Sequence, residues 1–450
     1  MPWFGLGFSI IAQIIFWAVA LLALVRICRT AWCQNTPILL YAPLPVRGFA
    51  RVKEWAANLI APDPDPGAEA ATHKIPYGKI ILFALAVRVL MLALGYGLLM
   101  LNGQTPTLLD LLYAFRRGDS QHYLNLADIG YVWTENDRNL LLVFFPLYGW
   151  IVRVVNVVVG HTLISAYLVS FWSFAAALCY LYRLVRLDYS ERVAWWTLFL
   201  ISIAPHSFFF GVPMTESLFL LTTAMTLYYI RSHKWPLAGI AGAFAILTRM
   251  AGLVLVLAAA VEFLLHYRVF ALLRAGKWRE FFGLVAIKGL WILLMLTGGL
   301  VYLAVNWWVA GDPFQFMYYQ YTHWFNQFTY FGQVIIAQFE HIRGHDRALH
   351  GTIFIPNLLA FALTIWMLWY ASLRRLPLFH IVFLLSYTFL NFAVSWLLSG
   401  GRYMTAAVPL FFFLAHFTER RLLTRLLFPL VLLVGLIVMM NWYLLGRSVF

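Results

Sequence analysis

The chain has 450 residues, of which 63% are hydrophobic and 11% are charged, and its mean hydropathy is +0.80. Repeated apolar runs approach the roughly 20 residues that a helix needs to cross a bilayer, which excludes a soluble globular protein. The net charge of +14 does not indicate a nucleic-acid partner, because Lys and Arg fall mainly in short loops between apolar runs. Cys28, Cys33 and Cys179 show no CxxC spacing, so neither a disulfide framework nor a zinc site is indicated.

The composition predicts an all-α polytopic membrane protein, and the orientation of its loops, described below, adds juxtamembrane helices on the extracytoplasmic side. Residues 1–79 are predicted to form an N-terminal membrane anchor and a cytoplasmic linker, with Pro62–Gly67 as its flexible part, and residues 80–450 a transmembrane domain. Hydropathy predicts about twelve transmembrane helices. They cover 8–28, 80–101, 162–183, 193–211, 214–231, 236–248, 250–266, 284–309, 353–371, 378–398, 404–418 and 426–445.

Basic loops fix the expected orientation, because they favour the cytoplasmic side. The loop that contains Arg47, Arg51 and Lys53 is placed inside, so the second span crosses outward. Residues 140–160 contain an interior Arg153 and are interpreted as a surface-lying or re-entrant helix rather than a full crossing. All later basic loops then face the cytoplasm.

A polar patch, Phe115–Tyr123, follows the second span and is predicted to face outside. It contains Arg117, Asp119, Ser120 and His122. Asp119 is a candidate general base for an acceptor hydroxyl if burial raises its pKa. A salt bridge from Asp119 to Arg116 or Arg117 is the alternative interpretation, since neighbouring opposite charges are common in loops.

Two further ionisable residues fall at one predicted outside turn. Glu216 follows Pro213, where an acid complements the start of a helix, and its place beside the membrane also favours a functional role. His206 is adjacent to aromatic residues, and an isolated histidine of this kind is more often packed or interfacial.

Arginines interrupt two apolar stretches on the same predicted side. Arg249 lies in Leu247–Gly252, and Arg402-Tyr403 follows Ser399-Gly400-Gly401. Guanidinium groups match phosphate oxygens, so Arg249 and Arg402 are predicted to bind a phosphate, together with the adjacent Tyr403. Snorkelling to lipid headgroups is the alternative.

The outside segment after the eighth predicted span mixes aromatic with hydrogen-bonding residues, as sugar-binding surfaces do. Its candidate acceptor-binding or orienting residues are Asp312, Gln320 and Trp324. An aromatic belt at the membrane surface has the same composition, and Asp312 before a proline also suits a turn cap.

Taken in order, these segments resemble the PIG-V-type GPI mannosyltransferase 2 family of the GT-C glycosyltransferase superfamily. Gly118 departs from the family pattern, which has Trp before the acid. The matching segments are Arg117-Gly118-Asp119, Gly130-Tyr131 with Glu135, Phe144–Leu147, Thr215-Glu216-Ser217, Arg249, Gly311–Pro313 and Arg402-Tyr403.

The resemblance implies a GT-C-like helical bundle and an enzyme that transfers mannose, or another hexose, from a polyprenyl-phosphate donor with inversion. Asp119 is the expected base, Arg249 and Arg402 stabilise the departing phosphate, and His122 and Glu216 orient the acceptor or the base. No cofactor is expected and a divalent metal is optional. The acceptor is a lipid, a glycolipid or a protein.

The expected location is a prokaryotic plasma membrane, or the endoplasmic reticulum membrane of a eukaryote, with an extracytoplasmic or lumenal active site. A transporter or flippase of lipid-linked sugars is the main alternative, and a non-catalytic assembly partner is the third. A transporter needs charge along a path, whereas Arg88 and Lys288 are isolated interior charges nearer the predicted cytoplasmic ends.

Overall fold

The computed structural model describes residues 2–32, 57–61, 75–132, 139–344 and 347–450. The predicted linker Pro62–Gly67, Glu135 and Cys33 lie outside these ranges. Within them the chain is helical almost throughout, and an isolated antiparallel bridge joins Phe328 to Val394. The all-α prediction is confirmed for the described part of the chain.

The α-helices of the described ranges are, in chain order, α1 (Pro2–Trp32), α2 (Tyr77–Leu101), α3 (Leu108–Ala114), α4 (Asp119–Asp128), α5 (Pro146–Val159), α6 (Thr162–Asp188), α7 (Glu191–Ser202), α8 (Glu216–Arg231), α9 (Trp235–Thr248), α10 (Val254–His266), α11 (Val269–Arg274), α12 (Trp278–Leu284), α13 (Leu290–Leu294), α14 (Thr297–Ala310), α15 (Gln315–Trp324), α16 (Phe331–Gly344), α17 (Arg347–Leu349), α18 (Ile355–Leu373), α19 (Leu378–Phe392), α20 (Gly400–Met404), α21 (Val408–Thr418) and α22 (Leu422–Leu444). Short 3₁₀ turns cover Leu140–Val143, Ser207–Gly211 and Met250–Leu253, and π-helical turns cover Val285–Gly289 and His350–Phe354.

Five helical segments of the described chain are long and apolar enough to cross a membrane, and a sixth is possible if the bent pair Trp278–Leu294 and Thr297–Ala310 is one span. The bend in that pair is 43°. The prediction of a polytopic membrane protein is therefore supported, but twelve spans are not confirmed. The five are Phe4–Trp32, Tyr77–Leu101, Thr162–Asp188, Arg347–Leu373 and Leu422–Leu444.

Other predicted spans correspond to shorter helices, because breaks interrupt the apolar runs. The predicted span 193–211 is α7 followed by an irregular stretch and a 3₁₀ turn. The predicted spans 236–248 and 250–266 are separated by Arg249, whose backbone is extended, with φ −156° and ψ 143°. Hydropathy averages over such breaks and therefore does not detect them.

The segment expected to lie on the surface or re-enter is α5. It contains 14 residues, or about 21 Å of helix, which is shorter than the roughly 30 Å hydrocarbon core. Pro146 begins the helix, and Gly160 ends it in the left-handed conformation, with φ 70°. These lengths agree with the expectation that residues 140–160 are not a full crossing.

The N-terminal helix packs on the rest of the bundle. Ser9 donates a hydrogen bond to the Gly332 carbonyl at 2.9 Å, and the Trp17 indole donates to the Tyr330 hydroxyl at 3.0 Å. α1 also contacts α16, α18 and α19. Its contacts therefore extend to the C-terminal half of the chain, and the division at residue 79 stays a prediction.

A polar network joins several helices at the end of α8 that is opposite Glu216. Arg231 contacts Asp188 at 2.5 Å and Glu262 at 2.8 Å, and His233 lies 3.0 Å from Glu262. α8 has 16 residues, so about 24 Å of helix separates this network from the N-terminal end of α8. The network links the ends of α6, α8 and α10, while the other end of α8 carries the candidate site.

Candidate active site

Four charged side chains from four separate segments form a continuous chain of contacts. Arg402 Nη2 donates to Asp119 Oδ2 at 2.8 Å, and Arg402 Nε lies 3.4 Å from Glu216 Oε1. Arg249 Nη2 donates to the same Glu216 oxygen at 2.8 Å. We call Asp119, Arg402, Glu216 and Arg249 the charge chain. The local salt bridge considered for Asp119 is replaced by a pair with a residue 283 positions away.

Asp119 begins α4, and the preceding glycine sets its position. Gly118 has φ 57° and ψ −130°, a backbone conformation that residues with a β-carbon rarely adopt. No atom lies within 4 Å of the place where a β-carbon would be at Gly118. The conformation of the backbone, rather than lack of space, therefore explains glycine at this position.

Breaks between helices position Glu216 and Arg249. Glu216 is the first residue of α8, after a bent segment that contains Pro213, and its side chain is 1% exposed. Arg249 occupies the extended junction after α9, and this junction directs its guanidinium group to Glu216. The charged residues that interrupt apolar runs in the sequence thus meet in space.

Side chains from α18 and α19 form hydrogen bonds with the backbone of α20 and so hold Arg402 in place. Asn357 Oδ1 accepts a hydrogen bond from the Gly401 amide at 2.8 Å, and the Tyr387 hydroxyl donates to the Tyr403 carbonyl at 2.9 Å. The Tyr403 ring centre lies 5.1 Å from the Arg249 guanidinium carbon and 5.3 Å from that of Arg402. Tyr403 therefore contacts both arginines through its ring.

The charge chain is neutral overall, with two carboxylates and two guanidinium groups. Burial raises the pKa of Asp119, but the positive charges of Arg402 and Arg249 lower it by more, so the pKa lies below its ordinary value. The condition under which the sequence favours Asp119 as a base, a pKa raised by burial, is therefore not met in this structure. Asp119 is ionised at neutral pH, and its side chain remains 33% exposed.

His206 lies beside this site as a neutral, packed residue. Burial and the neighbouring Arg402 charge lower the pKa of His206 to about 3. A β-carbon on Gly401 would lie 2.7 Å from the imidazole ring, so the glycine allows the ring to approach α20 closely. These contacts favour the packed interpretation of His206 over a proton-transfer role.

A group of aromatic rings lies next to Asp119 on α4. His122 stacks on Phe144 with 4.7 Å between ring centres, and Trp324 meets the group edge-on, 6.2 Å from Phe144. Phe144 is thus a central residue to which sequence reasoning assigns no role, although its Phe-Phe-Pro-Leu segment carries part of the family resemblance. We call His122, Phe144 and Trp324 the aromatic shelf.

The remaining predicted site residues have contacts elsewhere. Arg117 donates to the backbone carbonyls of Ala114 at 3.1 Å and Leu444 at 3.2 Å. Ser120 is fully buried. Asp312 is exposed and accepts a hydrogen bond from the Phe314 amide at 2.8 Å, which is the contact of a turn cap.

Gln320 lies on α15, the helix that ends at Trp324. Its side-chain oxygen accepts a hydrogen bond from Asn326 at 3.3 Å. This contact fixes the turn after α15 rather than reaching the charge chain. Across the described ranges, no group of three or more His, Cys, Asp or Glu side chains is arranged to hold a metal ion.

The family profile of dolichyl-phosphate-mannose-protein mannosyltransferases matches residues 145–272. This segment contains Glu216 and Arg249 but neither Asp119 nor Arg402, and it is less than a third of the chain. The match supports the GT-C glycosyltransferase superfamily, while the PIG-V-type resemblance stays a prediction. No curated protein matches the chain at a significant level.

Two of the similar solved structures contain lipid phosphates. ArnT from Cupriavidus metallidurans, bound to undecaprenyl phosphate, shares 17% identity at a TM-score of 0.46, over 76% of this chain and 60% of ArnT. The oligosaccharyltransferase AglB from Archaeoglobus fulgidus was solved in complex with an inhibitory peptide and a dolichol-phosphate. It shares 14% identity at a TM-score of 0.41, over 81% of this chain and 56% of AglB. This chain thus spans less than two thirds of either protein.

We predict that Glu216→Gln strongly destabilises the fold, because it removes the anion that two guanidinium groups share. Breaking such a buried pair costs about 3–5 kcal/mol. The matched control is Glu280→Gln, whose partner Lys277 lies 3.0 Å away in an exposed pair worth at most about 1 kcal/mol. Thermal unfolding in detergent measures the stability of both variants. Equal losses of stability would contradict the role of Glu216 as the buried anion that Arg249 and Arg402 share.

Proposed function

We propose that this chain is a glycosyltransferase that transfers mannose, or another hexose, from a polyprenyl-phosphate donor to an acceptor hydroxyl on the extracytoplasmic face, with inversion. The observation that carries the proposal is the partly exposed Asp119 carboxylate beside Arg402, with Arg249 joined to Arg402 through Glu216. A base next to two phosphate-binding cations is the arrangement that such a transfer needs.

The donor phosphate binds to the guanidinium groups of Arg402 and Arg249. Both arginines belong to the neutral charge chain, so their charges are already compensated before a donor arrives. A phosphodiester brings one negative charge and oxygens that match a guanidinium fork. Arg402 then shares its hydrogen bonds between the phosphate and Asp119, and Tyr403 limits the movement of both arginines.

Donor binding also prepares the base. In the structure the charge of Arg402 is the strongest influence that lowers the pKa of Asp119. A bound phosphate adds negative charge and takes part of the Arg402 interaction, and both changes raise the pKa of the carboxylate. Asp119 therefore becomes a stronger base when the donor is in place, which limits proton transfer without a donor.

In the chemical step, Asp119 accepts the proton of the acceptor hydroxyl while the acceptor oxygen forms a bond to the anomeric carbon. The bond from that carbon to the phosphate oxygen breaks, and the phosphate leaves with the bonding electrons as polyprenyl phosphate. Arg402 and Arg249 stabilise the negative charge that develops on the leaving oxygen. In-line attack inverts the anomeric configuration.

The acceptor is held at the aromatic shelf. His122 lies one helical turn from Asp119 on α4, and Trp324 presents a large ring beyond Phe144. Apolar faces of sugar rings pack on such side chains, so a glycolipid acceptor suits the shelf, and a protein acceptor is the alternative.

The family profile supports the lipid-phosphate donor and mannose as its first candidate sugar. It describes mannosyltransferases that use dolichyl-phosphate-mannose, and the matched segment includes one arginine of the charge chain and the acid that holds it. The proposed location is a prokaryotic plasma membrane, or the endoplasmic reticulum membrane if the chain is eukaryotic. A divalent metal has no assigned role.

We predict that Asp119→Asn lowers kcat about 10²–10⁴-fold, the range of a general base, while the donor still binds. The matched control is Asp110→Asn on α3, an exposed acid that caps its own helix through Thr107. Transfer from a labelled donor and donor binding are measured for each purified variant. Full activity of the Asp119→Asn protein would remove Asp119 as the base.

We predict that kcat/KM for the donor and kcat begin to decline at different pH values as the solution is acidified. For the free enzyme, the lowered pKa keeps Asp119 ionised, so kcat/KM for the donor declines only at a pH below the range in which an ordinary aspartate titrates. Activity is lost only as the pH passes through the lowered pKa. In the donor complex the pKa is higher, so kcat declines at a higher pH. If kcat/KM and kcat declined at the same pH, or if kcat/KM declined already at about pH 6, the proposal that donor binding raises the pKa of Asp119 would be contradicted.

A further inference from the structure

A cavity of about 300 Å³, apart from the candidate active site, lies between α2, α6 and the 3₁₀ turn Ser207–Gly211. Its walls are almost wholly apolar, with Leu85 and Val89 from α2 and Ile164 and Leu168 from α6. All four side chains are more than a third exposed, and both helices are candidate membrane spans. The cavity therefore opens on a face that meets lipid chains in a membrane.

One charged residue lines this apolar cavity. Arg88, midway along α2, is 8% exposed, and its guanidinium carbon lies 3.9 Å above the centre of the Phe174 ring. Within the described part of the chain, none of its three guanidinium nitrogens has a hydrogen-bond partner. The cation–π contact uses the face of the guanidinium group, so it leaves the in-plane N–H donors without an acceptor among the described residues.

The surrounding chain leaves room for the guanidinium group. A β-carbon on Gly211 would lie 2.7 Å from Arg88 Nη1. Gly211 belongs to the turn that precedes Glu216, so the cavity is next to the candidate active site. The ring of Phe208 lines the cavity and packs against Tyr443, 5.2 Å between centres, which places an aromatic wall between the two regions.

Contacts along α6 show how deep the cavity lies relative to the candidate active site. Ser170 donates a hydrogen bond to the Val212 carbonyl at 2.9 Å, so this part of α6 is level with the chain that leads to the active site. Phe174, on which Arg88 stacks, is one helical turn further along α6. An anion at Arg88 thus lies about one turn deeper than the candidate active site.

We propose that this cavity binds a membrane lipid that carries a phosphate group, with Arg88 contacting the phosphate and the apolar walls contacting the lipid chain. Among the described residues Arg88 has neither a carboxylate nor a hydrogen-bond acceptor as partner. An unpaired cation inside a span favours binding of an anion, and the anions that a bilayer supplies are lipid phosphates. The guanidinium fork matches two phosphate oxygens. The site is separate from the charge chain and does not depend on the proposed transfer reaction.

The test uses the full-length protein in phosphatidylcholine nanodiscs. The probe is phosphatidic acid with a photoreactive group in one acyl chain, and diacylglycerol with the same chain is the neutral control. After irradiation, labelled peptides are identified by mass spectrometry. We expect phosphatidic acid to label α2 and α6 about tenfold more than diacylglycerol, a ratio that corresponds to one charge-assisted contact. Inorganic phosphate should not compete, because it lacks the chain.

Arg88→Met is expected to reduce this labelling to the level of diacylglycerol, while Arg116→Met, at an exposed arginine outside the cavity, leaves it unchanged. Leu168→Trp fills the cavity but keeps the charge, so it should also abolish labelling, and it serves as the test if the Arg88→Met protein does not fold. Labelling that persists in either cavity variant overturns the proposal. Loss of the α2 and α6 labelling in Arg402→Met also overturns it, because the phosphate would then belong to the candidate active site.

Discussion

Contacts among two guanidinium groups and two carboxylates, of which Arg402 and Glu216 are buried, constrain the rest of this structure. Neither Arg402, with a side chain 4% exposed, nor Glu216, 1% exposed, is tolerated there without a partner of opposite charge. Their contacts tie α4, α8, the junction after α9 and α20 to one point. The proposed chemistry depends on the same contacts, because they lower the pKa of Asp119 and hold two cations next to it.

Interrupted helices are what make this arrangement possible. Backbone groups in a membrane must be hydrogen-bonded within the protein, so irregular chain occurs where it is enclosed by other segments or lines a cavity. Glu216 begins a helix, Arg249 lies in an extended junction and Arg402 lies on a five-residue helix. Each break directs a charged side chain inward, and the network around Arg231 holds the opposite helix ends together.

Composition and local interruptions are sufficient to predict the helical class and to select the individual members of the charge chain. Their pairing is not predictable, because Asp119 and Arg402 are 283 residues apart and nothing local favours that partner over Arg117. The direction of the Asp119 pKa shift depends on the same distant partner. The role of Phe144 is equally hidden, since only the fold brings His122 and Trp324 to its ring. The predicted number of spans exceeds what the helix lengths support, because hydropathy does not register breaks.

The central claim is that the chain cleaves a lipid-phosphate sugar rather than moving it across the membrane. The most direct measurement follows polyprenyl-phosphate mannose labelled in both the sugar and the lipid, with purified protein in vesicles and a crude glycolipid acceptor fraction. We expect polyprenyl phosphate to be released in equal amount to mannosylated acceptor. Appearance of intact donor in the opposite leaflet, with no release of polyprenyl phosphate, would contradict the claim and would identify a transporter.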